Sequence, residues 1–419
     1  MQVCLKGSVL GPLLFLLYIN DITHAITNCQ IRMFADDTCL FIEVDNREET
    51  ALLLNHDLES IHKWSNEWLV DFSETKTKSM TISNKKDKDK NPQVFLNGKE
   101  IENVRSFSYL GLELTNNMRW NKHIDNISNK AKKRLSAMIP LKLKLSRKSL
   151  EIMYKAFVRP IIDYCSVIWG GTYDSDITKL EQIQVDALRL ITGATARSNI
   201  AKLYEECPFM PVRDRINIAT NIMMFKIVNR VAPEYLSNCL PDENAPIYNL
   251  RNNNDIRLPQ ARLESYRRSF FPRAIKLWNA LSYPVKSSVG VSEFKTALHK
   301  EQIFPNVLYY YGKRWASVHH ARMRMGCSKL HSDLCFKLHV IENPSCSCGY
   351  PDESAYHFLF DCPNYQEFRV EMFDCLPADI NVTPQILLYG DVNMGYEQNI
   401  VVFKAVQMYI EKTRRFVSL

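Results

Sequence analysis

The stretch IRMFADDTCLFIE, residues 31–43, puts two adjacent aspartates, Asp36 and Asp37, inside an apolar, strand-like run. Successive side chains of a strand point to opposite faces, and an uncompensated carboxylate inside a sheet is costly. The chain must therefore turn at the pair, which makes this stretch a strand, an Asp-Asp turn and a strand. Hairpin tips favour aspartate for its local hydrogen bonding, so a solvated tip is one reading. The other is a metal site, with Asp36 reaching an ion and Asp37 supporting it or a second one. Mg2+ takes one or two carboxylates plus substrate phosphates, and paired ions clamp the attacking and leaving oxygens of a displacement. Two carboxylates hold two such ions poorly, so a third acidic ligand from elsewhere is expected.

Around this hairpin the pattern is mixed. Residues 9–20 read as a buried helix led by Gly11-Pro12, with proline tolerated in the first turn. Residues 48–69 read as an amphipathic helix with Leu54, Leu58, Ile61, Trp64 and Leu69 on its apolar face. After a polar loop at 84–92, Asn97-Gly98 between strand-like runs signals a second hairpin, and 107–114 reads as a further strand. From 120 to 159 the period becomes helical. It stays so over 176–191, where Ile177, Leu180, Ile183, Leu188 and Ile191 share a face and Gly193 is the stop. Residues 238–258, rich in Asn and Pro, read as a linker. The fold class is α+β.

The formal charge of +7 matters through its placement. Residues 130–148 carry Lys130, Lys132, Lys133, Arg134, Lys142, Lys144, Arg147 and Lys148 with no acid, and 313–331 carry Lys313, Arg314, Arg322, Arg324 and Lys329 with none. Such stretches either grip a polyanion or form a solvated helix face. Most of the twelve cysteines lack paired spacing, which suits a reducing compartment. Lys6 followed by the apolar run 9–19 imitates a signal peptide, but Gly11-Pro12 interrupts it and it is too short to span a bilayer. With no other candidate span, the expectation is an intracellular protein, nuclear or cytoplasmic, with no membrane partner.

Near the C-terminus, CSCGYPDESAYHFLFDC supplies Cys346, Cys348, His357 and Cys362. Three thiolates and an imidazole match a closed tetrahedral Zn2+ site, and Gly349 lets the backbone fold around the ion. The alternative is a pair of buried thiols beside a core histidine. Because the flanking 325–376 offers little apolar surface on this reading, the segment is expected to be poorly ordered without the ion.

Taken in order, KGSVLGPLLFLLYINDI (6–22), FADDT (34–38), TKTKSMTIS (75–83) and SYLGLEL (108–114) resemble the reverse transcriptases of non-LTR (LINE-type) retrotransposons. WNKHI (120–124), YKAFVRPIIDYCSVIWG (154–170), SFFPRAIKLWNAL (269–281) and CSKLHSDL (327–334) resemble the region that follows the polymerase in the same elements. The resemblance implies a partial polymerase palm over 1–114, a helical thumb over 115–237, a helical connection over 238–312 and a zinc-binding region over 313–419. It implies that Gly7 and Ser8 lie by the incoming nucleotide and template, with Lys6 standing where the family usually has Gln. Asp36 and Asp37, with Phe34 beside them, would carry catalytic Mg2+, and Lys76 would assist at the leaving pyrophosphate. Tyr109 to Gly111 would form a primer grip, and the Cys346, Cys348, His357, Cys362 set a nucleic-acid-binding zinc knuckle. The implied partners are an RNA template and DNA primer, or an RNA–DNA duplex, gripped by Lys130, Lys132, Lys133, Arg134, Lys142 and Lys144. The chain starts just before the glycine-serine segment. It is therefore expected to be N-terminally truncated, to lack the strand with the other catalytic aspartate, and to be inactive alone. The competing reading is a non-catalytic nucleic-acid-binding remnant of a decayed element.

Overall fold

The computed structural model describes residues 10–43, 46–83, 93–241, 255–299, 306–378 and 380–417. The expected loop 84–92 and most of the expected linker 238–258 lie outside them. The chain divides into two units, Met1–His123 and Ile124–Leu419. The architecture is mixed, with helices and small antiparallel hairpins, in keeping with α+β.

In the first unit, helix α1 (Gly11–Ile19) starts with Pro12 in its first turn, where the missing N–H has no helical partner to lose. The expectation that this helix is buried does not hold. Leu13 and Leu17 are 56% and 66% exposed, and Leu14 and Leu16 face solvent too. A helix that is apolar all round cannot be covered from one side, and among the described residues only one side of it meets the core. That core gathers Ile19 and Ile22 with Leu58, Ile61 and Trp64 of helix α2 (Arg47–Trp68) and with Val94, Leu96 and Ile101. Leu69, expected on the apolar face of α2, is instead its left-handed C-cap and points into water.

Strands β1 (Gln30–Phe34) and β2 (Asp37–Phe41) pair antiparallel with Phe34 opposite Asp37. The turn is therefore Ala35-Asp36 rather than Asp36-Asp37, and Asp37 already belongs to β2. Ala35 takes a φ of 51°, a conformation that costs a residue with a Cβ roughly 1–2 kcal/mol. The Asn97-Gly98 turn joins β3 (Phe95–Leu96) to β4 (Lys99–Glu100) with both φ angles positive, as its sequence demands. Residues 107–114 are not one strand. They form a hairpin of β5 (Ser106–Tyr109) and β6 (Leu112–Thr115), because Leu110 and Gly111 both adopt positive φ and reverse the chain. Among the described residues the strands make three separate two-stranded sheets.

Asp57 of α2 organises the loop before β1. Its fully buried carboxylate accepts from the backbone N–H of Thr27, Asn28 and Cys29, from the Thr27 hydroxyl and from the Asn28 amide. Burial acts to raise its pKa, but His56 and these N–H donors hold it well below the usual carboxylate range.

The second unit is helical. Helix α3 (Asn121–Met138) buries Ile124, Ile127, Ala131, Leu135 and Met138 at helical spacing. Counting helices of seven residues or more, α4 (Arg147–Met153), α5 (Asp174–Thr192), α6 (Ile200–Glu206) and α7 (Val212–Val228) follow. Ile177, Leu180, Ile183, Leu188 and Ile191 of α5 are buried, and the helix ends at Gly193 with φ 78°. Phe225 of α7 packs on Trp278 of α8 (Phe270–Asn279) and stacks on Phe294 of α9 (Val291–Leu298) at 4.4 Å. Helices α10 (Arg314–Met325), α11 (Gln366–Asp374) and α12 (Tyr396–Thr413) complete the fold.

At the centre of this unit Glu206 is buried between two arginines. Arg147 Nη1 donates to its Oε1 at 2.7 Å, and Arg324 donates to both carboxylate oxygens at 2.8 and 2.9 Å. Arg147 also meets buried Glu151, whose other oxygen accepts from the Tyr310 hydroxyl at 2.8 Å. Burial alone would raise the Glu206 carboxyl; Arg324 and Arg147 keep it below its ordinary value.

The expectation that 325–376 has little apolar surface is overturned. Leu330, Phe358, Leu359 and Met372 are fully buried in one core with Leu387 and with Val402, Val406 and Tyr409 of α12. The sequence window ended before α12, which supplies the other half of that core.

Two outcomes follow from these buried carboxylates. Asp57→Ala should cost roughly 2–3 kcal/mol by orphaning buried N–H groups. Because its folded pKa is depressed, the Asp57 contribution is complete above the unfolded value near about 4 and is lost as pH falls through the folded one. Hydrogen-exchange protection of the Asn28 and Cys29 amides should therefore weaken in acid in the wild type and be weak at all pH in the variant. Glu206→Gln leaves buried Arg324 without its counter-charge and Arg147 with Glu151 alone, and thermal unfolding of the full chain should report a loss of about 3–5 kcal/mol.

Candidate functional site

Within the first unit, the tip of the β1–β2 hairpin holds Asp36 in the turn and Asp37 in the closing pair, both exposed beside an exposed Phe34. The β5–β6 hairpin brings Tyr109 within electrostatic reach of Asp37. Burial raises the Tyr109 phenol, and the Cys39 and Asp37 side chains raise it further, which places all three within electrostatic reach. Gly111 sits in that hairpin's turn with φ 79°. Lys76 is exposed in the turn after Glu74, while the nearby Lys78 is tied to Glu102 at 2.6 Å. Lys6, Gly7 and Ser8 lie outside the described residues. Among the described residues no third carboxylate joins Asp36 and Asp37 in a cluster of metal-ligand atoms.

The structure does bring Cys346, Cys348, His357 and Cys362 together, with one ligand atom from each lying within 4.8 Å of the others. Cys346 and Cys362 Sγ are 3.7 Å apart, and Cys348 Sγ is 3.3 Å from His357 Nε2. A tetrahedral ion with metal–sulfur bonds of about 2.3 Å and metal–nitrogen bonds of about 2.0 Å requires separations of roughly 3.8 and 3.5 Å. The donor set fits a divalent ion of that kind. Nε2 is the nitrogen that faces the thiols and would meet the ion, and the buried Nδ1 has no hydrogen-bond partner among the described residues.

Local backbone geometry makes the cluster. Gly349 N donates to Cys346 O at 3.0 Å in a tight turn, with φ 92° and open space where a Cβ would stand, so glycine is there for its backbone. At the other end Cys362 N donates to His357 O at 2.8 Å, closing a π-type turn over His357–Asp361. In an α-helix residues five apart are about 140° round the axis; the wider turn brings both side chains to one side. Arg369 holds this turn through the carbonyls of Leu359 and Cys362. Burial pushes Cys362 up to about 12 and raises Cys346, whereas the Tyr350 N–H lowers Cys348. A cation is what would let all three thiols ionise together.

Sequence reasoning missed the surroundings of this cluster. Tyr350 stacks on His357 at 4.3 Å and nearly parallel, shielding one ring face. Glu353, bound by Arg415 at 2.6 Å and by His331 N at 2.9 Å, lies 4.0 Å from Cys346 Sγ and is committed to the fold rather than to an ion. Tyr350 follows the Cys-Ser-Cys-Gly turn directly, but its stacking depends on the π turn and has no local signature.

The two basic stretches part ways. Lys130, Lys132, Lys133, Arg134, Lys142 and Lys144 are exposed, and among the described residues none of them makes an ion pair. Lys130, Lys133 and Arg134 fall within about 100° of one another around α3, so they form a stripe. The second stretch is not a solvent-facing cluster. Arg314 donates to the carbonyls of Lys142, Leu190 and Ile191, Arg322 to that of Gly193, and Arg324 is consumed by Glu206. Carbonyls at a helix C-terminus lack helical partners and form the negative end of the dipole, so two of these arginines finish α5.

Residues 1–114 match the reverse transcriptase (RNA-dependent DNA polymerase) family. The chain is 25% identical over 219 residues to a probable RNA-directed DNA polymerase from transposon X-element of Drosophila melanogaster, covering 51% of this chain and 24% of that protein. It is 29% identical over 199 residues to the RNA-directed DNA polymerase from mobile element jockey of the same fly, covering 45% of this chain and 22% of that protein. The Pol polyprotein from type-1 retrotransposable element R1 4 of Nasonia vitripennis is 24% identical over 392 residues, covering 87% of this chain and 91% of that protein. The chain thus spans about a quarter of the length of the first two relatives. No solved structure matches it. The aspartate hairpin and Tyr109 both lie inside the segment that matches reverse transcriptases, and the chain is similar to the RNA-directed DNA polymerases of non-LTR retrotransposons.

Proposed function

We propose that this chain is a portion of a non-LTR retrotransposon reverse transcriptase, working on an RNA template and a DNA primer. The observation that carries this reading is the family match over 1–114, with Asp36 and Asp37 presented at an exposed hairpin tip beside Tyr109. In this reading residues 1–114 are part of the palm, the helices after it the thumb and connection, and 313–419 the zinc-binding region. Asp36 and Asp37 would hold Mg2+, which would supply charge neutralisation for the phosphates and activation of the primer hydroxyl. Lys76 stands by the leaving pyrophosphate, Gly7, Ser8 and Phe34 by template and nucleotide, and Tyr109 and Gly111 by the primer end. Lys130, Lys132, Lys133, Arg134, Lys142 and Lys144 hold phosphates along the duplex.

Two carboxylates are fewer than a paired-ion site needs. The purified chain should therefore bind primer–template without Mg2+-dependent extension. Robust nucleotide incorporation that disappears in Asp36→Ala would show instead that the site is complete. Binding without extension that is also indifferent to Lys132→Gln/Lys133→Gln would favour a nucleic-acid-binding remnant that uses another surface.

Cys346, Cys348, His357 and Cys362 hold one Zn2+. Metal analysis of protein purified under reducing conditions should find one zinc per chain, absent from both Cys348→Ser and His357→Ala and retained when Cys335 or Cys375 is replaced. Since Phe358, Leu359 and Met372 sit in an apolar core, chelation should open residues 346–362 to protease while α12 stays protected. Zinc retained in Cys348→Ser would mean that the four side chains are packed thiols and a core histidine.

A further inference from the structure

The helical unit contains a cavity of about 610 Å³ well outside the reverse transcriptase match. It is lined by the turn Gly170-Gly171-Thr172 and by Arg213, Arg267, Arg268, Arg273 and Lys276, together with apolar side chains. No acidic residue lines it. Three of these cations have carboxylate partners that do not line the cavity: Asp174 on Arg213, and Glu264 on Arg267 at 3.2 Å and Arg268 at 2.8 Å.

The cavity is built rather than incidental. A Cβ on Gly171 would stand 1.8 Å from the Arg268 carbonyl oxygen, and one on Gly170 would stand 2.3 Å from the Ile216 side chain. Gly171 therefore lets the backbone press against the segment that carries Arg267 and Arg268, and Gly170 lets it press against α7, which carries Arg213. Arg273 is fixed by the Thr220 hydroxyl at 2.8 Å and the Val167 carbonyl at 2.7 Å, while its buried Nε has no partner among the described residues. Arg268 is fixed by the Thr172 carbonyl at 3.2 Å and lies over the Tyr173 ring at 4.4 Å. Burial, and then the charge of Arg213, push Arg273 down to about 10. Like charges held together in a half-enclosed site repel, and an anion seated among them relieves both.

We propose that this cavity is a phosphate-binding site that grips the backbone of a single nucleic-acid strand. Guanidinium groups match phosphate oxygens bidentately, and several converging on one cavity suit consecutive phosphates. Tyr266, exposed and next in sequence to Arg267, and the face of the exposed Tyr173 ring away from Arg268 are surfaces on which bases can stack. The choice of a strand over free phosphate rests on the proposed function; the anion site rests on the cations alone.

The test uses the full chain and a fluorescent single-stranded RNA oligonucleotide, with affinity measured against salt. Arg267 and Lys276 are exposed, so Arg267→Gln/Lys276→Gln should unfold at the wild-type temperature. It should flatten the log–log salt slope by about 1.4, or about 0.7 per lost charge, and weaken binding by roughly tenfold near physiological salt. An unchanged slope and affinity in this folded variant overturns the proposal while leaving the proposed function standing. Pyrophosphate is the second probe. If it raises the unfolding temperature of wild type but not of the variant, while RNA affinity is the same in both, the site takes free phosphate and the strand assignment is wrong. If the wild type binds no oligonucleotide at all, both the strand assignment and the proposed function fail.

Discussion

The helical unit depends on one buried carboxylate. Glu206 lies at the end of α6, Arg147 opens α4 and Arg324 belongs to α10, so a single side chain joins three stretches of sequence. Removing three charges from water is expensive, and their attraction offsets that cost only with good geometry and with every remaining donor satisfied. Both conditions are met: Arg324 is bidentate, Arg147 also reaches Glu151, and Tyr309 lies 4.0 Å beneath the Arg324 guanidinium. The contribution is specificity as much as stability, because a shifted packing of α4, α6 and α10 strands at least one buried charge.

On this frame the cysteine and histidine cluster is a loop mounted on a core, not a free-standing module. Phe358 sits between His357 and Leu359 on the π turn, fully buried against Tyr409 and Phe416. The turn that points His357 and Cys362 to one side also inserts its apolar residues into the other. Ligand geometry is thus inherited from packing, which is how a site keeps its donors within a few tenths of an ångström.

Much of this was legible in the sequence, and the failures share a cause. Asn97-Gly98 announced its hairpin because only residues tolerant of positive φ occupy such turns. Leu110-Gly111 did not, since a leucine in that conformation is imposed by the rest of the hairpin. The four metal-ligand candidates were visible because their chemistry is local to 346–362. The apolar support beneath them was not, because α12 begins more than thirty residues later. The arginines at 314, 322 and 324 read as either a polyanion grip or a solvated helix face because charge is evident in sequence and its carbonyl partners are not. The same blindness ran the other way for SFFPRAIKLWNAL, whose Arg273 and Lys276 line a cavity that only the folded chain assembles.

The arginines that finish α5 also set an order of events. Its last carbonyls accept from Arg314 and Arg322, side chains that lie 123 to 129 residues further along the chain. While the polypeptide is being made, that helix end emerges long before its partners exist, and water must serve in their place. Short-range helix formation therefore runs ahead of consolidation, and contacts of such long sequence separation are slow to close. The helical unit is a structure that a ribosome cannot complete piecemeal: α5 waits, half-finished, until α10 has been synthesised.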